Sequence, residues 1–173
     1  MEYTIIYENI AVGKDGAVSV VKVGDTICIL KQFKKTKSAK RIQKEADFQG
    51  KACELGVAPQ VFHVDLDKKQ IFMQGLDKTL LEVAKNRVPA CLLKSEMEAI
   101  ETICRTLDTN EILHNDGNCR NVMVDNGKIY LIDYGFAKKI DSKVLSKTNE
   151  PNIKFTLAMM KRSFRQNGIK AWL

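Results

Sequence analysis

The residues best suited to chemistry lie between positions 112 and 139, in the stretch ILHNDGNCRNVMVDNGKIYLIDYGFAKK. This stretch holds His114, one of the two histidines of the chain, together with Asp116, Asn121 and Asp133. Carboxylate and amide oxygens are hard donors of the type that Mg²⁺ prefers, and a carboxylate can also accept a proton. The residue types therefore favour a site for metal-assisted or proton-transfer chemistry between apolar runs.

A structural alternative for the same residues is a set of turns. Asn and Asp side chains often hydrogen-bond the nearby backbone, so residues 115–118 alone would be typical of a simple chain reversal. A turn, however, requires neither His114 two residues before Asp116 nor a DYG segment at Asp133 after the next strands. The combined order favours a functional site, and we interpret His114 as a structural member of it.

The elements that must position these residues follow from periodicity and turn signals. The runs EYTIIYENIAV, AVSVVKV and TICILKQF predict three strands of an antiparallel meander. A helix is predicted from about Lys37 to Leu55, with Gly56 as its stop signal, and QVFHVDLDKKQIFMQ predicts a hairpin. The first 75 residues should therefore fold as three strands, a helix and two further strands.

From Leu76 onward the predicted structure is mainly helical. DKTLLEVAKN predicts a short helix, and PACLLKSEMEAIETICRTLDTN predicts a longer one with Pro89 in its first turn. NVMV and KIYLI predict short strands around an Asn126-Gly127 turn, and IKFTLAMMKRSF predicts a last helix. We expect an α+β fold with a boundary near Gly75, between a β-rich region at 1–75 and a helical region at 76–173.

The composition argues against several classes of protein. No stretch reaches the roughly 18 uncharged apolar residues of a membrane-spanning helix, and MEYTIIYENIAVGKDG lacks the basic start of a signal peptide. The five cysteines are scattered singly, which argues against a disulfide framework and against a zinc site. We therefore expect an intracellular, cytoplasmic protein in a reducing compartment, with no membrane partner.

The net charge of +7 is unevenly distributed along the chain. Residues 31–44 carry seven basic side chains and no acid, and residues 138–173 carry nine basic side chains against Asp141 and Glu150. Basic patches raise the local concentration of anions, so RNA or another anionic partner is one interpretation. A solvated helix face is the other interpretation.

The ordered motifs resemble those of the protein-kinase-like fold. HNDGNCRN fits the form H-x-D-x-x-x-x-N, and DYG begins twelve residues after Asn121, at the end of an apolar strand. The resemblance implies a two-lobed fold, with an antiparallel N-lobe at 1–75 that holds one helix and a reduced, mainly helical C-lobe at 76–173. It also implies ATP-dependent phosphoryl transfer, in which Asp116 serves the attacking hydroxyl while Asn121 and Asp133 bind Mg²⁺.

Upstream motifs occur in the order that this resemblance requires. CILK ends a strand as V-A-I-K does, so Lys31 is the candidate for contact with the α- and β-phosphates, and Lys22 is the alternative. Glu45 is the candidate partner of Lys31, with Glu54 as the second choice. The resemblance assigns further nucleotide contacts to a glycine turn and a hinge, namely Gly13, Lys14, Gly16, Val18, Met73, Gln74 and Leu76.

The likeness is strongest to small atypical kinases, the RIO kinases and the kinase subunit of the KEOPS tRNA-modification complex. VGKDGAV is similar to their G-K-E-A-x-V loop, and KEADFQGKACELGVAPQVFHVD is similar to their R-E-A…G-V-x-x-P-x-V-x-x-V-D run. Asn115 stands where conventional protein kinases have arginine, Asn118 stands where Ser/Thr kinases have lysine, and no A-P-E motif follows Asp133. The likeness implies an atypical Ser/Thr protein kinase, or an enzyme that acts mainly as an ATPase or autokinase.

Two other functions are alternatives. The motif segment is also similar to aminoglycoside and choline phosphotransferases, but the chain has no room for the helical insertion that builds their small-molecule pocket. A pseudokinase-like nucleotide-binding scaffold is disfavoured because Lys31, Asp116, Asn121 and Asp133 are all present. Since only 38 residues follow Gly135, the resemblance also implies a protein partner that presents the acceptor or activates the enzyme.

Overall fold

The computed structural model describes residues 2–170, which form an α+β fold with a five-stranded antiparallel sheet. The strands of this part of the chain are β1 (Thr4–Val12), β2 (Gly16–Val23), β3 (Thr26–Phe33), β4 (Val61–Asp65), β5 (Gln70–Met73), β6 (Lys78–Thr79), β7 (Ile112–Leu113), β8 (Val122–Asp125), β9 (Lys128–Leu131) and β10 (Lys138–Lys139). The α-helices are α1 (Ala39–Glu54), α2 (Leu80–Lys85), α3 (Lys94–Thr109), α4 (Ser142–Leu145) and α5 (Ala158–Gln166).

The sheet has the strand order β1-β2-β3-β5-β4, and every neighbouring pair is antiparallel. The first three strands form the predicted meander, and the β4–β5 hairpin adds to the β3 edge after helix α1. Because side chains alternate along a strand, Val21, Leu30 and Phe72 pack on one face, while Phe33 and Ile71 pack on the other. The order predicted for the first 75 residues, three strands, one helix and two strands, is confirmed.

Helix α1 packs on the sheet with its apolar side and turns its basic side chains outward. Ser38 caps the helix by accepting the backbone N–H of Arg41, and Ile42 is fully buried against the sheet. Lys40 and Lys44 are exposed, which the solvated-face and the anionic-partner interpretations of the basic run both require. Lys37, just before the helix, departs from this pattern because its side chain is buried.

The helical part of the chain has its own, larger apolar core. Helix α3 buries Met97, Ile100, Cys104 and Leu107, as the spacing predicts, and also Ile103; Leu93, predicted on the same face, is exposed at the residue before the helix. The predicted last helix is present, but its first part, Asn152–Leu157, is π-helical and runs directly into α5. Ala52 and Val57, at the end of α1 and just after it, belong to the same core, so the sheet region and the helical region are packed together.

The prediction that Pro89 opens the long helix is wrong. Pro89 lies in an irregular segment, and α3 begins five residues later, at Lys94. The start is set by Glu96, whose carboxylate accepts the backbone N–H of Leu93 at 2.8 Å and pairs with Arg87 at 2.6 Å. A carboxylate that satisfies the free N–H groups of the first turn decides where the helix begins.

The sequence predicts neither a membrane-spanning helix nor a disulfide framework. Within residues 2–170, no helix combines the length and the apolar character needed to cross a bilayer. All five cysteines are free thiols in the structure. Four of them are buried, where they pack as small apolar side chains, and Cys53 is partly exposed.

Candidate functional site

The β8–β9 hairpin brings Asn121 next to the segment that carries Asp133. Asn126 and Gly127 have φ values of 48° and 78°, the conformation that a two-residue hairpin turn requires. At the open end of the hairpin, the backbone N–H of Ile132 donates to the carbonyl oxygen of Asn121 at 2.9 Å. The two candidate metal ligands therefore flank the open end of a single hairpin.

His114 is a buried clamp between two segments of the site. Its Nε2 atom lies 3.0 Å from the carbonyl oxygen of Ile132, and its Nδ1 atom lies 3.0 Å from the carbonyl oxygen and 3.3 Å from the backbone nitrogen of Asp116. Burial lowers the pKa of the imidazole, although the Ile132 carbonyl opposes this, so the neutral ring is favoured. Each ring nitrogen faces a backbone carbonyl, so a proton on Nε2 donates to Ile132 and a proton on Nδ1 donates to Asp116. His114 therefore positions the backbone of Asp116 and the residue before Asp133.

The burial of His114 predicts that acid destabilises the fold. Because the folded imidazole has a pKa below its usual value of about 6.5, the unfolded chain binds a proton there more readily than the folded chain. The free energy of unfolding should fall by up to about 1.4 kcal/mol per pH unit below about pH 6.5, until the folded ring also titrates. Urea denaturation of the wild type, His114→Gln and His63→Gln measures this slope. A slope that survives in His114→Gln, or is lost in His63→Gln, would contradict the assignment.

Asp116 lies in an irregular loop with its side chain partly exposed. Its carboxylate accepts the N–H of Asn118 at 3.1 Å, and the Asn118 side chain accepts the N–H of Arg120 at 3.0 Å. The turn interpretation and the functional one are therefore compatible, since these side chains order the loop that presents Asp116. Gly117 allows a close backbone approach, because a Cβ there would lie 2.3 Å from the Cβ of Met159. The loop thus packs directly on the start of α5.

Asn152, at the start of the π-helical segment, is the hub that holds this loop to helix α3. It is fully buried, and its Nδ2 donates to Ile112 O at 2.6 Å and to Asp108 Oδ1 at 2.7 Å. Its Oδ1 accepts the backbone N–H of His114 at 2.9 Å and the hydroxyl of Thr156 at 3.2 Å. The sequence analysis did not identify Asn152, because an asparagine just before a predicted helix is usual and carries no local signal of such a role.

Lys31 joins three elements at the centre of the site. Its Nζ atom lies 2.5 Å from Glu45 Oε1 in α1 and 2.9 Å from Asp133 Oδ1 after β9. Burial disfavours the charged ammonium, but Glu45 and Asp133 outweigh it and raise the pKa of Lys31. Burial also opposes ionisation of Asp133, yet Lys31 holds the pKa of that carboxyl below its usual value. The alternative pairings are on the surface, since Glu54 is exposed and Lys22 pairs with Asp25 in the β2–β3 turn.

The DYG segment has an unusual backbone and packs on Glu45. Asp133 adopts φ 65° and ψ 70°, and Asn115 has φ 63°, a region that residues with a side chain seldom occupy. Such conformations cost roughly 1–3 kcal/mol each and cluster at functional sites. A Cβ on Gly135 would lie 3.0 Å from Glu45 Oε2, so glycine lets this turn approach the buried carboxylate.

Two charged residues of the site, Lys37 and Asp15, were not identified from the sequence. Lys37 is 7% exposed, and its Nζ lies 2.7 Å from Asp15 Oδ2 and 3.6 Å from Glu45 Oε2. The ammonium groups of Lys31 and Lys37 each lie 5.3 Å from the centroid of the Phe33 ring. Within the basic run nothing in the sequence distinguishes Lys37 from its exposed neighbours. The available signal was Asp15, an acidic residue inside the glycine turn that could pair with a lysine.

The predicted glycine turn lies between β1 and β2, beside the strand that carries Lys31. The Gly13 N–H donates to the Gly16 carbonyl at 2.8 Å, and a Cβ on Gly16 would lie 2.1 Å from a carbonyl oxygen of β3. The turn therefore requires glycine at position 16. Val18 lies directly opposite Lys31 in the β2–β3 ladder, and Lys14 is exposed.

The predicted hinge follows β5, the strand that pairs with β3. Met73 is buried, and its sulfur lies 3.5 Å from Nε2 of Gln49, so its side chain faces helix α1. The Gln74 N–H donates to the Gln60 carbonyl at 2.8 Å, and the chain then continues through the partly buried Leu76 without regular structure. The hinge therefore begins at the end of β5, the strand that pairs with the Lys31 strand β3.

The described geometry gathers two lysines and three carboxylates, contributed by β3, the segment before α1, the β1–β2 turn, α1 and the DYG segment. Together with Asn121, this set is able to bind an anion and a hard cation side by side. In comparisons with known proteins, no family model and no curated protein sequence matches this chain. The function is therefore inferred from the site itself.

Proposed function

We propose that this chain is an ATP- and Mg²⁺-dependent phosphotransferase of the protein-kinase-like fold, an atypical serine/threonine protein kinase of the cytoplasm. The observation that carries the proposal is the contact of Lys31 with both Glu45 and Asp133, residues 14 and 102 positions away in the chain. A buried lysine held between carboxylates meets the need for a positioned cation beside a metal ligand. In this proposal residues 1–75 form the N-lobe, residues 76–173 form the C-lobe, and ATP binds between them.

The residues at the open end of the β8–β9 hairpin fit a Mg²⁺ ion. Asp133 offers a carboxylate that is 40% exposed, and Asn121 offers a buried amide whose Nδ2 atom has no hydrogen-bond partner among the described residues. That Nδ2 donor calls for an acceptor such as a phosphate oxygen, while the carbonyl oxygen Oδ1 of the same amide is the atom that would bind Mg²⁺. Mg²⁺ usually keeps several water and phosphate ligands, so two protein ligands are sufficient. Bound there, the ion would neutralise charge on the phosphate oxygens.

Each side chain of the site has a distinct role in the proposed phosphoryl transfer. Lys31, held by Glu45, orients the α- and β-phosphates beneath the glycine turn, and the irregular chain after Met73 offers backbone groups to the adenine. Asp116 accepts the proton of the attacking hydroxyl while the new oxygen–phosphorus bond forms and the bond to ADP breaks. His114 keeps the backbone of Asp116 in place through its buried ring.

The acceptor that we propose is a serine or threonine hydroxyl of a protein, and water in its place would make the enzyme an ATPase. Asp116 serves either acceptor, because a carboxylate orients an alcohol and a water molecule alike. The exposed Lys40, Arg41 and Lys44 on α1 support an anionic partner, such as RNA or an acidic protein surface.

The experiment that tests the proposal is incubation with γ-labelled ATP and Mg²⁺, with and without a generic basic substrate protein. The wild type should bind ATP and transfer the label to protein or release it as phosphate. Asp133→Asn should weaken Mg²⁺-dependent ATP binding by about tenfold or more, because a neutral amide replaces a charged ligand. Asp67→Asn, in the exposed β4–β5 turn, is the matched control and should bind as the wild type does.

The outcomes separate the alternatives. Label on protein identifies a kinase, and free phosphate without labelled protein identifies an ATPase. Label on added choline or an aminoglycoside would favour a small-molecule phosphotransferase, and ATP binding without turnover would favour a nucleotide-binding scaffold. Absence of ATP binding in the wild type would contradict the proposed function, and unchanged binding in Asp133→Asn would move the metal site elsewhere.

A further inference from the structure

We propose that Lys37 is a second phosphate-binding residue. Its ammonium group pairs with the Asp15 carboxylate until a phosphate of the nucleotide takes the place of that carboxylate. The inference rests on the proposed function, because it takes the polyphosphate of ATP as the ligand. The motif resemblance assigned the phosphates to Lys31 and gave Lys37 no role. The contacts of the two lysines carry the inference.

Lys37 duplicates the environment of Lys31. One carboxylate, that of Glu45, serves both lysines, with Oε1 at 2.5 Å from Lys31 Nζ and Oε2 at 3.6 Å from Lys37 Nζ. One ring, that of Phe33, lies 5.3 Å from each ammonium group. Burying a lysine to 7% exposure is costly unless an anion compensates it. The position is therefore built to hold a cation next to Lys31.

The anion that now compensates Lys37 comes from the glycine turn. Asp15 accepts from Lys37 at 2.7 Å, and this hydrogen bond lowers the pKa of Asp15 against a smaller opposing effect of burial. The charges of Lys31 and Asp133 also act on Asp15, so its carboxylate lies within the field of the central ion pair. This is the space beneath the turn where the proposed function places the phosphates.

Exchange of Asp15 for a phosphate requires rotation of one side chain only. The backbone of the turn is tied to the sheet region, because the Lys34 N–H donates to the Asp15 carbonyl at 2.9 Å and Gly16 lies against β3. The Asp15 side chain itself is 45% exposed and has solvent on one side. Asp15 is the most exposed of the three carboxylates around the two lysines, so it is the one whose side chain can turn away and leave its lysine to a phosphate.

Opposite effects of two substitutions on ATP affinity test the inference. Asp15→Asn removes the competing charge and should tighten Mg²⁺–ATP binding by about two- to fivefold, the range expected for one partly exposed ion pair. Lys37→Met should weaken binding by about tenfold or more, since a charge-assisted contact to phosphate is lost. Isothermal titration calorimetry with Mg²⁺ and ATP measures both.

Three further variants complete the design. In Asp15→Asn/Lys37→Met the gain from Asp15→Asn should vanish, because the carboxylate acts through Lys37. Lys37→Arg keeps the cation and should bind ATP within about threefold of the wild type. Lys35→Met, at an exposed position two residues away, controls for the loss of a positive charge and should also bind as the wild type does.

The results distinguish this inference from the proposed function. If the wild type and all variants fail to bind ATP, the proposed function itself is contradicted. If the wild type binds ATP but Asp15→Asn binds more weakly or equally, Asp15 supports the turn and the inference is overturned. If Lys37→Met does not fold, as judged by its thermal unfolding midpoint, Asp15→Asn decides, because it leaves Lys37 intact.

Discussion

Replacing Asp116 by alanine is expected to lower the turnover of ATP by about 10²- to 10⁴-fold, the range typical of a lost general acid or base. The affinity for Mg²⁺–ATP should stay within about threefold of the wild-type value. Among the described contacts, the Asp116 carboxylate binds the Asn118 amide and neither Lys31 nor Asp133, so its removal leaves the central ion pair intact. Single-turnover assays with γ-labelled ATP and calorimetric titration measure the two quantities separately.

The control for this variant is Asp67→Ala, which removes an exposed carboxylate from the β4–β5 turn. It should match the wild type in both turnover and affinity. An equal loss of turnover and of ATP affinity in Asp116→Ala would place Asp116 in nucleotide binding and contradict its role toward the acceptor. Turnover that survives the substitution would show that another group serves the attacking hydroxyl.

Replacing Asn152 by alanine should produce the largest loss of stability among single changes near the site, about 3–5 kcal/mol in the free energy of unfolding. The substitution leaves the Ile112 carbonyl and the His114 N–H buried without a partner, and it removes one hydrogen bond from the Asp108 carboxylate. Each unsatisfied buried group costs about 1–3 kcal/mol. Urea denaturation followed by circular dichroism measures the loss.

Asn149→Ala is the matched control, because Asn149 is exposed three residues earlier in the chain. Its free energy of unfolding should stay within about 0.5 kcal/mol of the wild type, as for most surface substitutions. A loss below about 1 kcal/mol in Asn152→Ala would show that the loop around His114 is held by other contacts. The turnover of a folded Asn152→Ala protein should also fall, since Asn152 anchors the segment that presents Asp116.

The local elements of the fold were predictable because their causes are local. Alternating apolar residues predict strands through the period of the pleat, and the Asn126-Gly127 pair predicts the β8–β9 hairpin because both residues accept positive φ. The apolar spacing of α3 likewise predicts most of its buried face, with the exposed Leu93 as the exception. The prediction that placed Pro89 in the first turn of α3 failed because a side-chain contact of Glu96 with Leu93 sets the start.

The candidate site could be predicted only in part. The order of Lys31, Asp116, Asn121 and Asp133 marks them as candidates, because fixed intervals between such residues seldom arise from turns alone. The sequence ranked Glu45 ahead of Glu54, but both are acids of the same helix, and only the structure shows the contact of Glu45 with Lys31. Which face of α1 points at β3 depends on how the whole helix packs on the sheet.

The sequence by itself therefore determined the five strands of the sheet, the main helices and the β8–β9 hairpin, because each depends on neighbours a few positions away. The short elements β6, β7, β10 and α4 were not predicted, and the list of candidate residues came from the order of the motifs along the chain. Only the tertiary structure decided that Lys31 contacts Asp133 across 102 positions, that Lys37 is buried beside Asp15, and that Asn152 holds the loop. The physical reason is that an ion pair or a buried amide is selected by what packing brings within about 3 Å, and no local period encodes that distance.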